Sequence, residues 1–315
     1  EFACRARECT HDGFLRVSLG VDCISTLALA AILWPKNDGG ILMRRSWWRV
    51  GGKGLLFAAA LVWLAPYLWM VSTSFKTLPE IVAAPAYPLP SSLQWDAYAE
   101  VFSTIAVGRY LLNTLVMATA IATLQIALAL PAGYALAKLR FCGRRAAFLS
   151  VLACLIIPAQ VTFVPVFTML GPLGLIDTMA ALVLPFAVSA FGTFLVRQAM
   201  LAIPDEIIEA ARLDGASELT IVYRVLAPIV QPTLAALFLF SFVFHYSDYF
   251  WPLMMTTSDD VRTMPLAVAL LREQGTGVRW HIVMAGNVVL SLPILALFAV
   301  TQRRIMQAVT ARALS

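Results

Sequence analysis

The chain has 315 residues, 60% hydrophobic and 13% charged, with a mean hydropathy of +0.81; no soluble core hides that much apolar surface, which excludes an ordinary globular protein. Its net charge of +5 sits in short basic clusters at the ends of apolar runs, without interleaved aromatics for base stacking, so the pattern reads as membrane topology with no nucleic-acid partner. The five cysteines, Cys4, Cys9, Cys23, Cys142 and Cys154, lack Cys-x-x-Cys spacing and support neither a disulfide framework nor a zinc site.

Residues 1–42 are an atypical N-terminal extension. Their apolar run Cys23–Pro35 is only 13 residues, short of the roughly 20 needed to span a bilayer, and Trp34-Pro35-Lys36-Asn37-Asp38 lacks a small-residue cleavage pattern. Met43 followed by Arg44-Arg45-Ser46-Trp47-Trp48-Arg49 reads as a membrane-protein start, so residues 1–42 are expected to be non-native upstream sequence. Six helical spans then follow, over about 55–74, 110–137, 146–170, 179–200, 229–255 and 280–302. Strand-like alternation is absent, which disfavours a barrel. Fourteen Lys and Arg flank the spans on one side and five, Lys76, Arg109, Arg262, Arg272 and Arg279, on the other; the excess places both termini and the loop after span four in the cytoplasm.

The outer segment between spans one and two contains Pro79, Pro85, Pro88 and Pro90 and then Gln94-Trp95-Asp96-Ala97-Tyr98. It predicts an extended stretch followed by a short interfacial helix. Pro158 and Pro165 interrupt span three, either as simple bends or where a wet transport path satisfies the freed carbonyls. The Gly51-Gly52-Lys53-Gly54 run imitates a phosphate loop but lacks its first glycine and its hydroxyl, so the chain carries no ATP site of its own.

Between spans four and five lies an acidic island. Pro204 suits a first helical turn, Asp205 and Glu206 complement the positive helix end, and Gly215 can stop the helix. Ile207, Ile208, Ala211 and Leu213 are expected on its apolar side, with a second short helix over about Ser217–Leu226 before Pro228. Glu206, Glu209, Asp214 and Glu218 outnumber Arg212 and Arg224, so anionic headgroups would repel this projection and a protein partner fits it better than a lipid surface. In span five, His245, Tyr246, Ser247, Asp248, Tyr249 and Trp251, with Asn113 in span two, are candidates for a solute pathway. Ionisable groups at membrane depth usually face a cavity or a partner; the competing reading has them satisfying one another structurally. Gln125 and Gln160 are expected in helix-to-helix hydrogen bonds, and His11 and His281 have no ligand spacing for a metal.

The stretch Ile203-Pro204-Asp205-Glu206-Ile207-Ile208-Glu209-Ala210-Ala211-Arg212-Leu213-Asp214-Gly215-Ala216-Ser217 resembles the EAA loop of bacterial binding-protein-dependent ABC importers. It is especially similar to the second permease of maltose-type sugar or glycerol-3-phosphate systems. Ser74-Phe75-Lys76, Asn113-Thr114-Leu115, Ala132-Gly133-Tyr134-Ala135-Leu136-Ala137-Lys138, Ile157-Pro158 and Gly174-Leu175-Ile176-Asp177-Thr178 extend the resemblance from about Ser72 to the C-terminus. Two departures stand out: Ala227 replaces a leucine just before Pro228, and Tyr246-Ser247-Asp248-Tyr249 replaces a Trp-Asn-Asp-Phe-type sequence.

The resemblance implies an all-α, polytopic inner-membrane permease of the type I ABC importer fold, with no catalytic residue. It implies a coupling helix in which Glu209 is the polar anchor, Ala210 and Ala211 permit close approach and Gly215 makes the turn, with Asp214 and Pro228 also in the coupling loop. The implied partners are a homologous second permease, two copies of an ATPase that bind ATP and Mg, and an extracytoplasmic solute-binding protein. A carbohydrate is the expected cargo, with glycerol-3-phosphate or another small polar solute as the alternative. An ion-coupled transporter would leave the loop unexplained, and an intramembrane enzyme would need more convergent groups than His245 and Asp248.

Overall fold

A computed structural model describes residues 44–83, 87–272 and 278–313; the expectation for residues 1–42 lies outside them. All regular structure among these residues is helical. The chain divides into two units, 1–68 and 69–315. In the first, helix α1 begins (Arg44–Ser74), and Phe57, Val62 and Trp63 stand exposed on it, an arrangement that water penalises and hydrocarbon does not.

The second unit is organised on one long helix. After α2 (Leu78–Ala83) and α3 (Asp96–Thr104) comes α4 (Val107–Lys138). The short helix expected near Trp95 is present as α3, and the chain before it is tied down by polar groups at the end of α1. Lys76 Nζ donates to the Tyr87 carbonyl, Ser74 Oγ lies 2.7 Å from Tyr98 Oη, and Phe75 packs edge-on against Trp95.

The expected third span is two helices, α5 (Arg144–Cys154) and α6 (Ala159–Leu170). Pro158 stands in extended backbone at the start of α6 with ψ 135°; it has no N–H to continue the helix before it. The fourth is also broken: α7 (Met179–Val183), with a 3-10 turn to Phe186, and α8 (Ala190–Leu201) meet at 42°. Thr178 and Ser189 cap these two helices by accepting from Ala181 N and Gly192 N.

Beyond the loop helices α9 (Asp205–Leu213) and α10 (Glu218–Thr220), a π-helical turn (Ile221–Leu226) and α11 (Ala227–Ile229) lead at 86° into α12 (Gln231–Tyr246). Three short-to-long helices complete the unit: α13 (Phe250–Met255), α14 (Met264–Leu270) and α15 (Trp280–Ala313). Among the described residues, three helices are long and apolar enough to cross a membrane, or up to five if each bent pair is one span.

Small residues set the packing. A Cβ on Gly133 would lie 2.7 Å from Val196 Cγ1, and one on Gly192 would lie 3.2 Å from Leu237 Cδ2, so α4, α8 and α12 approach as closely as hydrogen allows. Pro131 cannot bond the carbonyl of Ala127 one turn earlier in α4. Tyr223 Oη supplies the missing donor at 2.7 Å, which ties the π turn to α4. Tyr223→Phe is therefore expected to cost about 1 kcal/mol, read as a lower thermal midpoint in detergent.

Polar groups inside the unit go to backbone. Gln125 Nε2 donates to Phe186 O at 2.9 Å, as expected for a helix-to-helix bond, and Thr114 Oγ1 accepts from Met264 N at 2.8 Å. The 256–263 segment is pinned from several sides. Asp177, in left-handed backbone at φ 64°, accepts Thr257 N at 2.8 Å and Ser258 N at 3.0 Å through Oδ1.

The Ser258 and Thr257 amides hold the Asp177 carboxyl below its ordinary value of 3.8. A carboxylate depressed in the folded state contributes its stability above 3.8, and that contribution is lost as pH falls through the lowered folded value. Amide hydrogen exchange at Thr257 and Ser258 is expected to accelerate below about pH 4 beyond the intrinsic rate, and Asp177→Asn should weaken this pH dependence.

Candidate coupling loop and solute pathway

The loop helix α9 is built to be rigid. Pro204 sets its start with φ −58°, and Asp205 and Glu206 occupy the first turn, where the helix dipole favours negative charge. Its other end is a Schellman stop: Ala216 N donates to Ala211 O and Gly215 N to Arg212 O, both at 3.0 Å. That geometry needs φ near +81° at Gly215, where a side chain is strained. Ser217 then caps α10 by accepting from Thr220 N at 3.3 Å.

The helix sits on α4 through both ends. Lys138 Nζ donates to Asp205 Oδ1 at 2.6 Å and to Ile203 O at 2.5 Å, and this bond holds the Asp205 carboxyl below its usual range. At the far end Arg212 Nε donates to Glu218 Oε1 at 2.8 Å. The Arg212 guanidinium, with the Tyr134 hydroxyl, lowers the Glu218 carboxyl. Underneath, Ile208 is buried among Tyr134, Met200, Ile203, Ile221 and Leu226, with Ala211 packed alongside.

Two expected inward contacts point out instead. Leu213 is 90% exposed and Ile207 also faces solvent; of the four, Ile208 is buried and Ala211 half-buried. Glu209, Ala210, Asp214 and Gly215 are exposed, and Glu209 makes no side-chain hydrogen bond or ion pair among the described residues. The outward face thus combines a free carboxylate, a small residue and two exposed leucines, Leu213 and Leu219. Pro228 follows the π turn and is exposed. Its missing N–H leaves the Arg224 carbonyl without an α-helical donor, while Ala227 N bonds Val222 O in π register.

The pathway candidates are scattered rather than convergent. Span five breaks after Tyr246, so His245 and Asp248 do not share one helical face as their spacing predicts. His245 is buried, with Nδ1 2.8 Å from Ser241 O and Phe186 edge-on to its ring. Tyr246 is fully buried and donates to Leu290 O on α15 at 2.8 Å. Trp251 is buried against Phe186 and Phe163 and donates from Nε1 to Ala181 O at 3.1 Å.

Asp248 accepts Trp251 N at 3.3 Å at the start of α13, and Asn113 Nδ2 donates to Asp260 O and Arg262 O. Ser247 and Tyr249 are exposed at the break, which leaves these two as the outward-facing members of the set. Sequence reasoning used Asp205 for the helix dipole and Glu218 for the charge of the loop, and paired neither with Lys138 or Tyr134. The available signal was the four-residue spacing of Tyr134 and Lys138 at the polar end of an apolar helix.

Residues 129–311 match the family described as "Binding-protein-dependent transport system inner membrane component", a span that contains α9 and the braces around it. The chain belongs to this family. The permease is 30% identical over 262 residues to the sn-glycerol-3-phosphate transport system permease protein UgpE of Rhizobium meliloti, covering 81% of this chain and 93% of that protein. It is 31% identical over 247 residues to the arabinooligosaccharides transport system permease protein AraQ of Halalkalibacterium halodurans, covering 78% and 88%. A chain of a bacterial ABC transporter involved in the import of the acidic polysaccharide alginate superposes with a TM-score of 0.72 at 23% identity, covering 85% of the permease and 99% of that chain. The permease is thus a multi-pass membrane protein with the type I ABC importer fold.

Proposed function

We propose that this permease forms half of the import pathway for a carbohydrate and takes its energy from ATPase subunits docked on the α9 face. The outward face of Glu209, Ala210 and Leu213 on a helix fixed at both ends carries this reading, because force passes through a rigid, well-docked element and not through a mobile loop. Two ATPase copies bind the ATP and Mg, a homologous second permease completes the pathway, and an extracytoplasmic solute-binding protein delivers the cargo. Similarity to permeases for arabinooligosaccharides and for lactose fits a sugar, and similarity to sn-glycerol-3-phosphate permeases fits the alternative.

Charge supports the same choice over a phosphate ester. Arg197, the basic residue within the fourth predicted span, donates to Leu136 O at 3.2 Å and stacks on Phe148 at 3.7 Å, which commits its guanidinium to the fold. The basic flanks support a cytoplasmic side for the α9 end and both termini. Cys142, exposed in the loop between α4 and α5, then resists a membrane-impermeant maleimide in intact cells of a single-cysteine variant.

The deciding experiment reconstitutes the assembled transporter with its solute-binding protein in proteoliposomes containing ATP. Uptake of labelled neutral oligosaccharides, and not of glycerol-3-phosphate, is expected. Preference for glycerol-3-phosphate would reassign the cargo, and uptake driven by an ion gradient without the ATPase would overturn the coupling assignment.

A further inference from the structure

The outward face of α9 explains where a partner docks; it does not explain how motion of α9 reaches the membrane helices. Three side chains from three segments make a closed polar triangle there. Tyr134 Oη, from the last turns of α4, donates to Glu218 Oε2 at 2.5 Å and accepts from Arg212 Nη2 at 3.1 Å. Arg212, in the last turn of α9, also reaches Glu218 Oε1 at 2.8 Å and Oε2 at 3.3 Å, and Glu218 opens α10. The ring of Tyr134 is buried in the core beneath α9, while the Arg212 and Glu218 side chains are 44% and 49% exposed. The phenol is therefore a fixed post, and the ion pair is the part that could let go.

We propose that Tyr134, Arg212 and Glu218 form a latch that makes the α9–α10 turn move as one body with α4. They are positioning residues for coupling, separate from Glu209, Ala210 and Leu213, which face the partner. Lys138 with Asp205 holds the first turn of α9, and the latch holds the last. Since α4 packs on α8 at Gly133, displacement of the loop is delivered directly to two helices of the core. Without the latch, α9 would still dock and the ATPase would still turn over, but the stroke would be absorbed by rotation about the Gly215 stop. This inference rests on the coupling role proposed for α9.

The test uses the complete transporter, with ATPase and solute-binding protein, and measures ATP hydrolysed per solute imported. Tyr134→Phe removes both phenol hydrogen bonds and keeps the buried ring. It is expected to leave assembly and solute-independent ATPase activity intact and to raise the ATP cost per solute about tenfold, the change that loss of a charge-assisted hydrogen bond corresponds to. Glu218→Gln on the loop surface should act in the same direction, and pairing Arg212→Glu with Glu218→Arg should recover part of the stoichiometry that either single change loses. A purely structural role predicts instead lower yield at unchanged stoichiometry. Unchanged stoichiometry in Tyr134→Phe and Glu218→Gln, alongside a Glu209→Lys variant that is inactive, would overturn the latch alone. Wild-type activity in Glu209→Lys as well would overturn the coupling role itself.

Discussion

Glu209→Lys is expected to abolish transport-coupled ATP hydrolysis in the assembled transporter while leaving the permease folded. The carboxylate is exposed and makes no hydrogen bond or ion pair within the described residues, so the fold loses nothing when it is replaced. At the proposed interface the same change inverts the charge that the α9 face would present to its partner. Truncating or reversing one member of a desolvated charge pair costs about 2–5 kcal/mol, which at roughly 1.4 kcal/mol per tenfold is some thirtyfold to several-thousandfold in occupancy. Gly215→Asp reaches the same end by another route. No atom lies within 4 Å of a Cβ there, so sterics with neighbours are not the issue. The penalty is the left-handed backbone, on the order of 1–2 kcal/mol, plus a new negative charge at the helix end where the dipole disfavours it. Gly215→Ala carries the backbone penalty without the charge and should be intermediate. The measurement is ATPase activity in proteoliposomes with and without solute-loaded binding protein; wild-type stimulation in both Glu209→Lys and Gly215→Asp would show that α9 is not the coupling element.

The largest expected structural effect is at Gly133. A valine there would place its Cβ 2.7 Å from Val196 Cγ1 and 3.0 Å from the backbone nitrogen of Arg197. The second of these contacts is with main chain, which cannot rotate aside, so α4 and α8 must move apart. Overpacking of this kind costs about 1–3 kcal/mol or more. Here it also disturbs the seat of Arg197, whose Nε donates to Leu136 O across the same crossing. Gly133→Val is expected to lower the thermal midpoint in detergent and to deplete the assembled complex, with Gly133→Ala partway. Gly108→Ala is the comparison, since nothing lies within 4 Å of a Cβ at that position. Equal midpoints for Gly133→Val and Gly108→Ala would rule out the close crossing.

Hydropathy located the long helices well where a run is both apolar and uninterrupted. The second predicted span is α4 and the sixth is the apolar part of α15. It overran where backbone chemistry intervenes: Pro158 divides the third span into α5 and α6, and the fifth ends at Tyr246, ahead of α13. The loop was legible as an element, because Pro204 and Gly215 mark its ends by local conformation. The direction of its side chains was not fully legible, since Ile207 and Leu213 are apolar yet face outward.

By itself, the sequence determined a helical membrane protein with an acidic, glycine-stopped projection between its fourth and fifth apolar runs, because apolar content, helix ends and turn chemistry are local properties. Only the tertiary structure decided that Tyr134 closes on Glu218, that Gly133 admits Val196, and that His245, Tyr246 and Trp251 are occupied with packing and carbonyls rather than gathered around one cavity. Those contacts join residues that helical periodicity places on separate elements, and periodicity states which face is apolar without stating which partner covers it. The acidic projection accordingly proved to be a helix clamped at both ends, with its most exposed leucine aimed away from the membrane helices.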